Sequence, residues 1–121
     1  MKVGNSLGQY GETMAAKWLH KQGFHIEEMN FRKNYTEIDI IATKDNTLIF
    51  FEVKTRISED FGKPFEAITR EKIHNIVQTA QLYSFLHPKL PKSLRIDAIG
   101  VTLDKHRNIL DIEHVENISG F

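Results

Sequence analysis

Apolar positions along the chain follow two different periods. From about Asn5 to Gln22, Leu7, Tyr10, Met14, Ala15, Trp18 and Leu19 recur every three or four residues, which predicts an amphipathic helix. Gly23 stands where a C′ glycine would stop it. Phe24–Phe31 reads as a first strand. Thr36–Thr43 and Leu48–Arg56 are dominated by Ile, Phe and Val, with Lys44-Asp45-Asn46 as turn chemistry between them, so they predict a hairpin. "SEDFGKP" reads as a loop. A second helix spans roughly Ala67 to His87, with Ile73, Ile76, Val77, Ala80, Tyr83 and Leu86 in one stripe. "HPKLPKS" reads as another loop. Arg95–Leu103 and Ile109–Val115 are two more strands, and the tail from Glu116 is irregular. The order α-β-β-β-α-β-β, without repeat or linker, predicts one domain over residues 1–121. A mixed sheet of about five strands flanked by two helices makes it an α/β or α+β sandwich.

Composition removes several classes. The 121 residues include no cysteine, which excludes disulfides and thiolate metal sites and fits a cytoplasmic protein. "MKVGNSLGQYGE" offers no apolar signal segment, and no apolar run reaches the roughly 20 residues of a membrane span. Sixteen basic residues balance sixteen acidic ones, so bulk charge gives no argument for nucleic acid. Residues 54–95 hold eight Lys/Arg against four Asp/Glu, a local basic surplus that also suits a solvated face. The six histidines show no ligand spacing, and there is no phosphate loop or nucleophile elbow.

Charges inside the hairpin change the picture. Glu37, Asp39, Glu52 and Lys54 interrupt apolar strands, and buried charges are costly unless paired, hydrated or metal-bound. A four-residue loop, Lys44 to Thr47, sets Thr43 opposite Leu48. Ala42 then pairs with Ile49, Ile40 with Phe51 and Ile38 with Val53, which gives one wholly apolar face. On the other face Ile41 meets Phe50, Asp39 meets Glu52 and Glu37 meets Lys54. Facing carboxylates, with Cβ atoms about 4.5–5.5 Å apart, repel unless compensated. A proton, Lys54 or a hard divalent cation such as Mg²⁺ would serve. The same pattern also describes a surface ion-pair ladder of small energetic weight.

Asp39, followed thirteen residues later by Glu52-Val53-Lys54, resembles the D…(D/E)-x-K signature of restriction-endonuclease-like nucleases. "GQYGETMAAKWLHKQGF", "NFR", "EIDIIA", "FFEVKTR", "FG" at Phe61–Gly62 and "RIDAIGV" follow in order. Together they resemble the YraN-like family of small bacterial proteins over nearly the whole chain. That resemblance implies a restriction-endonuclease-like fold, an α/β three-layer α/β/α sandwich, close in plan to archaeal Holliday-junction resolvases. It further implies Mg²⁺ or Mn²⁺ held by Asp39 and Glu52, Lys54 as the catalytic lysine, and Glu12 as the first-helix acid. Thr36 stands where the family's glycine precedes the "EID" stretch. The function expected on this likeness is a metal-dependent endonuclease acting on nucleic acid, DNA including branched forms. The rivals are a non-catalytic nucleic-acid-binding or scaffold protein on the same fold, and a purely structural acidic cluster. Arg56, Lys63, Arg70 and Lys72 are candidate phosphate contacts. Gln78 and Gln81 suit a helix surface as well as a site, and Asp97 suits a partner such as Arg95 or Arg56. Nucleases of the junction-cutting type are often dimers, which makes a homodimer an expectation too.

Overall fold

The computed structural model describes residues 6–58, 65 and 67–120. Helix α1 runs Leu7–Lys21. Ser6 caps it by accepting the Gln9 N–H at 3.1 Å. At its other end Gly23 takes φ 98°. Gly23 donates to the His20 carbonyl and Phe24 to the Leu19 carbonyl, so the glycine closes a Schellman motif at the position its sequence signal indicates. Strands β1 (His25–Lys33), β2 (Thr36–Lys44) and β3 (Thr47–Ile57) follow. Helix α2 (Arg70–Leu86) starts three residues later than the expected Ala67, because Thr69 accepts the Lys72 N–H and caps it. Strands β4 (Ser93–Leu103) and β5 (Ile109–Val115) complete the chain.

The sheet has five strands in the order β1-β2-β3-β4-β5, antiparallel except for β3 and β4, which run parallel. The parallel pair follows from the α2 crossover, since a tight turn joins only antiparallel strands. Two apolar clusters lie on its two faces. Ala15 and Leu19 of α1 pack with Ile40, Ala42, Ile49, Phe51, Ile99 and Val101. Ile76, Ala80 and Tyr83 of α2 pack with Ile38, Ile41, Leu48, Phe50 and Ile96. Leu86, expected in the α2 stripe, is 55% exposed beyond the end of the sheet contact.

The hairpin keeps the expected register: Thr43 faces Leu48, Ala42 faces Ile49 and Ile40 faces Phe51. Its loop is tighter than expected. Lys44 also pairs with Thr47, leaving only Asp45 and Asn46 to turn. Both take positive φ, 52° and 59°, the type I′ geometry that matches strand twist.

Alternation breaks beside Asp39. Ile38 packs on the α2 side and Ile40 on the α1 side, although they are two residues apart, so the wholly apolar face expected to include Ile38 ends at Ile40. In β1, Met29 and Phe31 divide between the two clusters in the same way. Asn30, between them, has φ 55°, a left-handed conformation that asparagine tolerates better than most residues. Both strands therefore change face at the level of Asn30 and Asp39.

Candidate active site

The change of face opens the sheet where the charges collect. The β2–β3 ladder stops at Ile40–Phe51. Asp39 does not sit opposite Glu52 as a ladder partner. Its Oδ2 accepts the Val53 N–H at 2.7 Å, so the carboxylate occupies the gap that backbone pairing would have filled. Ile38 and Val53 consequently do not pair.

Glu52 points from β3 toward α2, where Lys72 Nζ lies 3.2 Å from Glu52 Oε2. Asp39 and Glu52 are each only 8% exposed. Among the described residues, Glu52 Oε1 is the buried side-chain polar atom that lacks a hydrogen-bond partner. An unsatisfied buried carboxylate oxygen is unfavourable by itself and calls for an explanation.

Burial, the Glu52 charge and then the Glu12 and Glu37 charges push the Asp39 carboxyl up to about 8, against the opposing Val53 N–H. Burial also raises Glu52, with Lys72 and then Lys54 pulling the other way. The pair is thus short of positive charge even with two lysines at hand.

Glu12 comes to this centre from α1. A methyl group at Gly11 would overlap the Thr55 side chain on β3, so the missing Cβ lets the helix lie against the strand. Glu12 Oε1 accepts from Asn30 Nδ2 at 2.8 Å, and the same amide donates to Glu37 Oε2 at 3.0 Å. The left-handed Asn30 therefore ties two acids together. Glu37 does not meet Lys54 as the register suggested. It pairs with Arg32 at 3.2 Å, its direct cross-strand neighbour in β1. Nothing in the local pattern of β1 marks Asn30 for this role except an asparagine in a strand, where asparagine is disfavoured.

The donor set fits a hard divalent cation. It offers two carboxylates, one oxygen of which is orphaned, with a third acid beside them, and Mg²⁺ commonly uses one or two carboxylates and keeps its waters. Among the described residues no group of three or more His, Asp or Glu side chains forms a ready-made metal cage, so water or substrate oxygens would complete the coordination. Lys54 and Lys72 line a cavity of about 280 Å³ with Glu52 and Thr69.

These residues lie inside a recognised sequence family. The model for the "Uncharacterised protein family UPF0102" matches residues 11–101, a span that contains Glu12, Asp39, Glu52 and Lys54. The chain belongs to the UPF0102 family. A UPF0102 protein of Syntrophomonas wolfei is 36% identical over 95% of this chain and 98% of its own length. One of Dictyoglomus thermophilum is 44% identical over 92% of this chain and 94% of its own. One of Clostridium perfringens is 42% identical over 83% and 82%. The YraN-like resemblance read from the motifs is borne out by these matches.

The remaining candidates of this UPF0102 chain scatter. Arg56 stacks over the Phe65 ring, 4.1 Å from its centre, and donates to Thr102 Oγ1 at 3.3 Å. Arg70 is exposed in the first turn of α2. Lys63 and the Phe61–Gly62 motif lie outside the described residues. Lys72, expected as a phosphate contact, pairs with Glu52 and so stands within the carboxylate centre. Gln81 is exposed on α2, and Gln78 lines a separate cleft near the β1–β2 turn.

Asp97 is fully buried and belongs elsewhere. Arg95 grips both its oxygens at 2.9 Å, His114 Nε2 lies 2.8 Å from Oδ2, and Asn117 donates its N–H to Oδ1 at 2.9 Å. The hydrogen bonds from His114, Arg95 and Asn117 outweigh burial and hold this carboxyl below its ordinary range. Arg95, not Arg56, is its base. With the Ile118 N–H bonded to the Ile96 carbonyl, this cluster fastens the tail to β4. His114 was not foreseen, since its ring packs among Trp18, Phe24 and Phe51 and its spacing carries no signal.

No helix among the described residues is long and apolar enough to cross a membrane.

Proposed function

We propose that this chain is a metal-dependent phosphodiesterase acting on nucleic acid, with DNA, branched forms included, as its first candidate. The observation that carries the reading is the orphaned Glu52 Oε1 beside an Asp39 whose charge is disfavoured. A charge-deficient carboxylate pair is what a divalent cation would complete. The α-β-β-β-α-β-β order, a helix on each face and the D…ExK spacing support a restriction-endonuclease-like fold, by likeness rather than by spacing alone.

In this reading Asp39 and Glu52 would hold Mg²⁺ or Mn²⁺, and Glu12 would assist directly or through water. When bound, such an ion lowers the pKa of an attached water and screens the scissile phosphate. The Val53 N–H fixes the Asp39 carboxylate, so one acid is oriented before any cation arrives. Asn30 holds Glu12 at the rim. Lys54, half-buried on the same face of β3 as Glu52, stabilises charge that develops on the phosphate. Lys72 pairs with Glu52 and would serve a phosphate oxygen if a cation were held by the carboxylates instead.

A binding-only role is favoured by one observation: Lys72 already satisfies one Glu52 oxygen at 3.2 Å without any cation. Cleavage assays separate the two. The phosphodiesterase reading expects cutting of linear duplex, single-stranded, flap or four-way-junction DNA with Mg²⁺ or Mn²⁺, abolished by EDTA. Asp39→Ala and Lys54→Ala should each lower the rate at least about a hundredfold. Binding without cutting on every substrate would favour the second reading, and cutting that survives both variants would remove this site.

A further inference from the structure

The β1–β2 turn presents an aromatic ring that packing does not explain. Tyr35 is 102% exposed, at the tip of a two-residue turn closed by the Lys33–Thr36 pair. Asn34 beside it holds φ 56°. A lone exposed aromatic is ordinary, but three features set this one apart. The short turn presents the ring from a defined backbone. Arg32 and Lys33, both exposed, flank it, and aromatic rings interleaved with cations are the composition of single-strand stacking platforms. The turn also shares β2 with the carboxylate centre: along the strand, Glu37, bonded to Arg32 and to Asn30, lies between Tyr35 and Asp39.

The ground between turn and centre is polar. Lys72, Asn75 and Gln78 follow one another at three-residue intervals along one side of α2. Lys72 meets Glu52, while Asn75 and Gln78 line a cleft of about 390 Å³ with Lys33, Tyr35 and Thr36. From Lys72 to Gln78 the helix rises about 9 Å, and from Asp39 back to Tyr35 the strand spans roughly 13 Å. Both lengths correspond to about three or four stacked bases at 3.4 Å each.

We propose that this turn and cleft bind an unpaired stretch of nucleic acid a few nucleotides from the carboxylate centre. Tyr35 stacks on a base, Lys33 meets a phosphate, and Asn75 and Gln78 face the strand between them. The inference rests on the phosphodiesterase reading and narrows its substrate to one with unpaired bases beside the cut. A continuous duplex keeps its bases stacked on one another, so their faces are closed to Tyr35.

Fluorescence anisotropy tests it, with Ca²⁺ as the cation, on a labelled oligothymidylate and on a labelled blunt duplex. Wild type should favour the oligothymidylate. Tyr35→Ala should weaken that binding about five- to a hundredfold and leave duplex binding within about twofold, while Tyr35→Phe keeps the wild-type value. Lys33→Gln should weaken both and reduce the slope of log affinity against log salt by about one. A Tyr35→Ala protein that binds oligothymidylate as tightly as wild type overturns the inference and leaves the phosphodiesterase reading in place. So does an equal loss on both probes. Wild type that binds neither probe overturns both.

Discussion

Asp39 has one good hydrogen bond, from Val53, yet burial and three neighbouring acids hold its pKa near 8. In the unfolded chain an aspartate titrates near about 3.9. Between these values the folded state keeps a proton that the unfolded state has released. Stability of the metal-free protein therefore falls as pH rises through that window and levels off above it. Asp39→Asn removes the charge and retains an oxygen to accept the Val53 N–H. At about pH 8 in EDTA, urea unfolding should find the variant more stable than wild type by about 1–3 kcal/mol, with the gap closing toward about pH 4. A variant less stable than wild type at about pH 8 would mean that Asp39 is structural. Asp97 shows the opposite design. Its full burial is answered by Arg95, His114 and the Asn117 N–H, so its charge is satisfied within the fold.

At the scale of elements, the centre depends on how α1 meets β3 and where β2 leaves it. Gly11 lets the helix approach Thr55, and that approach brings Glu12 toward the pair. Gly11→Ala should push the helix outward, lower stability by about 1–3 kcal/mol and weaken Mn²⁺ binding severalfold. Thermal melts and a metal titration measure the two effects, and a fully stable variant with wild-type Mn²⁺ affinity would disconnect the helix from the centre. The helices, the strands and the hairpin register were legible because each rests on a repeated local signal: the α1 stripe, the Gly23 stop, the Ile and Phe of β2 and β3. The parting of β2 from β3 was not legible. It arises from a left-handed Asn30 on a third strand and a side chain, Asp39, that replaces a ladder bond. Neither leaves a periodic trace. Alternation alone therefore brought Asp39 and Glu52 near each other, but it wrongly made them ladder partners, misassigned Glu37 to Lys54 and put Ile38 on the wrong face.

For the whole molecule, net charge is zero, and a protein of this kind holds nucleic acid by local features or not at all. Lys72 illustrates what sequence could not resolve: a lysine on a helix reads as solvated until the crossover brings α2 over Glu52. The family match spans Glu12, Asp39, Glu52, Lys54 and Lys72, and in the proposed reading a divalent cation would supply the positive charge that the carboxylate pair lacks. The direct measurement is Mn²⁺ binding, followed by electron paramagnetic resonance, to wild type, Asp39→Asn and Glu52→Gln. Wild type should take up the ion with an affinity that rises up to about tenfold per pH unit below about pH 8, as metal displaces the Asp39 proton, and both variants should lose it. Wild type that takes up no Mn²⁺, or variants that bind it unchanged, would contradict the metal centre.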